Sequence, residues 1–170
     1  MKIKSIIVVL LTITTLALNA QTKGKFGHID SQKLLGLMPE RTEAQKQLQL
    51  EATGLEKELA TMQEEFQGKY QDYMAKKETL TTLVRQSKET ELQDMQTRIQ
   101  TFQQTAQEML EKKEAELLQP IIDKAKKAIE EVGKEKGFIY VMDSSVGVLL
   151  YFSEESEDIT PLVKKKLGIL

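Results

Sequence analysis

Cysteine and tryptophan are absent from this 170-residue chain, proline occurs three times, histidine once, and aromatic side chains amount to 5%. Without cysteine no disulfide staples the fold, and export to an oxidising compartment carries no risk of mispairing. His28, the lone histidine, sits in a strand-like run, where a packing role outweighs a ligand role. No Gly-x-x-x-x-Gly-Lys loop cradles a phosphate and no serine lies in a Gly-x-Ser-x-Gly turn. The acidic pairs Glu64-Glu65, Glu130-Glu131 and Glu154-Glu155 fall on solvated helix faces or a loop. Together these absences argue against an enzyme and against any cofactor or metal.

A large excess of charge of one sign is also missing. Lys and Arg number 24 against 26 Asp and Glu, for a net charge of −2. That balance argues against nucleic acid as a partner, because such binding relies on excess cations to displace counterions.

The first twenty residues differ from the rest. Lys2 and Lys4 precede an apolar run from Ile6 to Leu18, followed by Asn19-Ala20. A basic start, a short apolar stretch and a small residue at the end describe a signal peptide cut after Ala20. The run is shorter than the ~20 residues of a spanning helix, and no cysteine near the cut can carry a lipid. The mature protein is expected to be exported.

What remains is dominated by helix. Residues 40 to 136 contain one proline, Pro120, and three glycines. Placing Leu48, Leu55 and Met62 at position d puts Ala52, Leu59, Phe66, Tyr73 and Leu80 at position a of a heptad, with Lys69 and Lys76 breaking the d row. A second arm, from about Leu83 to Lys136, repeats apolar residues at Leu92, Met95, Ile99, Phe102, Ala106 and Met109. Its phase then shifts, with Lys113 and Glu116 in the old row and a wider apolar face from Leu117 to Val132. A turn near Thr79 to Thr82 would reverse the chain, with Thr81 or Thr82 capping the second helix. Pro120 lacks the N–H of the helical ladder and is expected to act as a hinge. Gly137 is the expected C-cap.

The ends read as β. Lys25 to Asp30 suggests a strand, and Asp30 or Ser31 can cap a short helix to Met38, ended by Pro39. Phe138 to Met142 and Val146 to Phe152, joined by Asp143-Ser144-Ser145, read as a hairpin. Thr160-Pro161 would open a final helix to Leu167. The fold class is α+β and mostly α: a long antiparallel helical-hairpin arm (39–118) projecting from a small β body built from 21–38 and 119–170. A core this small calls for self-association, and Ile29, Phe138, Val141, Leu149 and Tyr151 are candidates for the oligomer core.

Two groups near the turn are candidate binding residues. Lys76, Lys77, Arg85 and Lys88 form a basic tip suited to transient contact with anionic lipid or lipopolysaccharide, although a merely solvated turn is the blander reading. Phe66, Tyr70, Tyr73, Met74, Leu80, Leu83 and Val84 supply apolar and aromatic surface. They are seam residues first, but Tyr70 and Met74 fall outside the strict seam, as adaptable client binding would need.

Gly27-His28-Ile29-Asp30-Ser31-Gln32-Lys33 with Met38-Pro39-Glu40 resembles the opening of Skp/OmpH-like periplasmic chaperones. Pro120-Ile121-Ile122, Lys134-Glu135-Lys136-Gly137-Phe138, Val141-Met142-Asp143 and Asp158-Ile159-Thr160 resemble their closing segment. Leu92-Gln93 through Ile99 and Phe102-Gln103-Gln104 are similar to their second arm. The resemblance implies a periplasmic homotrimer with a β-barrel body and helical arms around a cavity. It further implies ATP-independent holding of unfolded outer-membrane β-barrel proteins. The family's familiar members are basic and this chain is acidic. An exported coiled-coil adaptor bridging envelope proteins is the alternative.

Overall fold

A computed structural model describes residues 24–169; the expected signal peptide and its cut lie outside the described residues. The elements are β1 (Lys25–Ile29), α1 (Ser31–Leu37), α2 (Pro39–Lys76), α3 (Thr82–Lys136), β2 (Phe138–Asp143), β3 (Glu157–Asp158) and α4 (Thr160–Leu167). The chain is mostly helical, with one small parallel sheet.

Local chemistry sets the boundaries. The Asp30 carboxylate accepts the Lys33 N–H at 2.8 Å and so caps α1. Pro39 opens α2, where its missing N–H costs no bond. The Thr81 hydroxyl accepts from the Val84 N–H at the start of α3. Gly137 ends α3 with φ of 69°, in the left-handed region that favours glycine. At α4 the cap differs from expectation. Thr160 lies inside the helix, and the Asp158 carboxylate accepts its N–H at 2.8 Å.

The 38 and 55 residues of α2 and α3 correspond to lengths of about 57 and 82 Å. They run antiparallel. Glu40 in the first turn of α2 bonds Lys124 late in α3, and Lys69 near the end of α2 bonds Glu91 early in α3. The α2 seam is half-buried at Leu48, Ala52, Leu55, Leu59, Met62, Phe66 and Tyr73, as the heptad reading expects.

On α3 the seam departs from that reading. Met109 is exposed and Leu110 takes its place, followed by Lys113 and Leu117. The row then continues through Ile121, Ala125, Ala128 and Val132. From Leu92 to Val132 the step averages about 3.6 residues, the repeat of a straight helix and not the 3.5 of a supercoil. The expected phase shift after Met109 is thus an ordinary four-residue step, from Ala106 to Leu110. Lys113 stays in the row, beside Gln47, Leu50 and Leu55, where its methylene stem can lie along apolar surface. Helix α3 runs unbroken through Pro120.

The sheet order is β2-β1-β3, with both neighbours parallel to β1. Parallel pairing needs a crossover, and between β1 and β2 that crossover includes the whole α2–α3 pair. The hairpin expected from Phe138–Met142 and Val146–Phe152 does not form. β2 gives its ladder to β1, and residues 148–152 carry no regular structure. The second partner of β1 is the two-residue strand Glu157–Asp158, a stretch too polar and short to read as β from pattern.

The core is Ile29, Leu34, Met38, Ala44, Ile121, Ala125, Ala128, Val132, Ile159 and Val163. Alanines on α3 let the sheet and α4 come close. At Gly27 a Cβ would meet Ile159 Cγ2 at 3.0 Å and the Phe138 ring at 3.1 Å, so both side chains would have to shift by a few tenths of an ångström to admit one.

Candidate functional site

At the far end of the helical pair the chain turns over Lys77–Leu80, within the expected few residues. The turn is held by the Lys77 N–H donating to Tyr73 O at 2.8 Å and by the Thr79 hydroxyl donating to Lys76 O at 2.8 Å. Phe66, Tyr73 and Leu80 are half-buried in the seam. Tyr70, Met74, Leu83 and Val84 are exposed, Leu83 at 78%. Tyr70 stacks on Phe66 with ring centroids 6.1 Å apart.

Two of the four basic residues at the tip are paired with neighbouring carboxylates. Lys76 pairs with Asp72, and Lys88 with Glu91 at 3.0 Å. Lys77 and Arg85 have no ion-pair partner among the described residues. Lys69 and Lys88 converge on Glu91 and, through those hydrogen bonds, hold its carboxyl below the usual range. Glu91 in turn raises Lys69. The Tyr73 hydroxyl donates to Glu89 at 2.5 Å, which raises the phenol. Lys69, where the d row breaks, is exposed and forms an ion pair across the two helices. An open groove of about 940 Å³ runs beside it, lined by Glu65, Leu83, Glu91, Asp94 and Arg98 among others.

The opposite end presents a second exposed surface. Asp143 gathers four donors. The Ser31 hydroxyl reaches it at 2.5 Å and the Ser31 N–H at 3.2 Å; the Ser145 N–H reaches it at 2.9 Å and the Ser145 hydroxyl at 2.8 Å. Burial alone would raise this carboxyl, but the donors outweigh burial and hold it below its ordinary value. The segment that follows is fixed again at its far end. Phe152 stacks on His28 at 4.1 Å, the Ser156 hydroxyl lies 2.9 Å from His28 Nδ1, and Lys25 pairs with Glu157 at 2.8 Å. Between these anchors Val148, Leu150 and Tyr151 are 81%, 95% and 79% exposed.

Of the residues proposed for an oligomer core, Tyr151 is exposed and Leu149 half-buried. Ile29 is enclosed in the chain's own core, and Phe138 and Val141 pack against that core. Ile29 therefore has no surface left for another subunit. Phe26, stacked on Tyr140 at 6.3 Å, and Met142 extend the apolar surface instead. Pattern reading missed the Asp143 clasp because Asp-Ser-Ser reads as an ordinary turn.

Among the described residues no group of His, Cys, Asp and Glu is placed to hold a metal ion, and no helix is long and apolar enough to cross a membrane. The profile of the family described as Outer membrane protein (OmpH-like) matches residues 25–167. No curated protein matches the chain in sequence. Among solved structures, a proposed outer membrane chaperone (OmpH-like) from Caulobacter crescentus CB15 superposes with a TM-score of 0.72. The match has 17% identity and covers 87% of this chain and 86% of that one.

Proposed function

The chain belongs to the outer membrane protein (OmpH-like) family, and from that premise we propose that it is an ATP-independent holdase of the periplasm. In this reading it binds unfolded outer-membrane β-barrel proteins and keeps them from aggregating. Residues 21–38 and 119–170 form the assembling body, residues 39–118 form the arm, and three copies surround a cavity. The observation that carries the reading is the pairing of a long, thin helical arm with a body that leaves Val148, Leu150 and Tyr151 uncovered. A body with such exposed side chains gains from self-association, and several arms held together bind weakly at many points, which gives avidity without a tight site.

A barrel strand in transit exposes apolar side chains and unpaired backbone, both aggregation hazards. Holding it favours the unfolded state by mass action, and release needs only a more favourable destination. With Lys76 and Lys88 paired, the tip leaves Lys77 and Arg85 for lipid or lipopolysaccharide, so membrane contact is secondary.

The test is the mass of the mature chain in solution, alone and with a urea-unfolded outer-membrane barrel protein, alongside light scattering of that client. The expected result is a three-chain particle that binds the client and suppresses its aggregation without nucleotide. A monomer that leaves aggregation unchanged would overturn the reading.

A further inference from the structure

Each α3 seam residue from Leu92 to Ala106 is followed by glutamine: Gln93, Gln96, Gln100, Gln103 and Gln107. All five are exposed. In an antiparallel helix pair the twofold axis stands perpendicular to the plane of the two helices. Residues just after the seam therefore share one broad face in both helices, and residues just before it share the other. On α2 the first set includes Gln49, Gln63 and Gln67, with Glu56 the one charge between Gln49 and Met74 in that row. Tyr70 and Met74, both exposed, continue the same row toward the tip.

The opposite face is acidic. It takes Glu51, Glu58 and Glu65 from α2 and Glu91, Asp94 and Arg98 from α3. Glu65 lines one groove together with Glu91, Asp94 and Arg98, which places the two rows side by side. The arm is a blade with one charged face and one amide face.

Gln63, Gln67, Gln93, Gln96, Gln100 and Gln103 make no side-chain hydrogen bond to other described residues, whereas Gln107 donates to Glu111 and Gln49 to Thr53. A glutamine side chain offers two N–H donors and a carbonyl acceptor, the same groups that an unpaired peptide backbone offers. Being uncharged, it exchanges water for such a partner without the desolvation cost of an ion. The α3 row spans about 21 Å, the length of about six residues of extended chain. Its 5.4 Å repeat along the helix does not match the 6.6–6.8 Å two-residue period of a strand. No register is fixed, so the contacts are weak, interchangeable and indifferent to client sequence.

Resting on the chaperone reading above, we propose that the amide face is the surface the arm turns toward an unfolded client. It recognises exposed peptide backbone, Tyr70 and Met74 take apolar side chains at its tip end, and the acidic face is turned to solvent.

Adjacent positions on α3 test this directly. A photo-crosslinking amino acid at position 100 or 103 faces the client, and one at 101 or 105 faces away. With a urea-unfolded eight-stranded outer-membrane barrel protein as probe, crosslinking at 100 and 103 is expected to exceed that at 101 and 105 at least fivefold. The combined variant Gln96→Glu, Gln100→Glu, Gln103→Glu is expected to raise the client dissociation constant at least tenfold, against less than twofold for Thr101→Glu, Thr105→Glu. Circular dichroism and solution mass check that both variants keep their helix and assembly, and the single-site crosslinks stand if either does not. Equal crosslinking from both faces overturns the face assignment while leaving the holdase reading intact. A wild-type protein that neither binds nor crosslinks the probe overturns both.

Discussion

Asp143 accepts four hydrogen bonds and makes no ion pair among the described residues. Its donors come from Ser31, at the start of α1, and Ser145, beyond β2, so one carboxylate ties the sheet's edge strand to α1 and aims the segment that follows. Asp143→Ala is expected to cost about 2–3 kcal/mol, in line with the loss of hydrogen bonds to a charged acceptor that leaves donors unpaired. The pH dependence has a definite sign. The native carboxyl titrates below its ordinary value of 3.8. Its contribution is therefore full above the unfolded value and disappears as pH falls through the native one. Urea midpoints of wild type and variant should differ at pH 7 and converge in strong acid. Parallel curves down to pH 2 would show that the carboxylate is not the source.

Among the elements, the helices were legible and the seam of the second was half legible. The α2 heptad and the Gly137 cap followed from spacing and backbone preference, because burial along a two-helix seam depends on little else. Met109 was misplaced because a heptad template forces a three-residue step where a straight helix takes four, and the choice depends on the partner. Lys69 does break the d row, but its partner was not legible, because Glu91 is 22 residues away in sequence. Pro120 remains the one expected irregularity, with α3 continuing through it. Alanine there would restore the N–H donor toward the carbonyl four residues earlier. Since proline is ~3 kcal/mol worse than alanine in a helix interior, Pro120→Ala is expected to stabilise the arm by about 1–3 kcal/mol, read as a higher urea midpoint. If Pro120 serves as the joint, label-to-label distances between arms should also change less with client size than in wild type. An unaltered spread would remove the hinge and leave only the stability effect.

For the whole molecule, the pattern of the chain ends was legible as β but its pairing was not. Strand pairing is a long-range choice, and β1 finds its partners more than 100 residues away at Phe138–Asp143 and Glu157–Asp158. Val146–Phe152 looks like a strand by composition because it is as apolar as one, yet it has no ladder within its own chain. Its anchors at Asp143 and His28 hold it outward, and its side chains are the most exposed apolar group of the body. Covering a side chain of that size is worth about 1.5–3 kcal/mol, so three such side chains in each copy can supply a substantial part of an assembly energy. If the chain assembles as proposed, the combined variant Val148→Ser, Leu150→Ser is therefore expected to lower its mass toward that of a single chain at micromolar concentration. Helix content should be unchanged, since neither residue touches the α2–α3 seam. Sedimentation equilibrium reads the mass, and circular dichroism reads the helix. A variant that keeps the wild-type mass would place the subunit contact elsewhere, with the exposed face of Phe26, Tyr140 and Met142 the next surface to change.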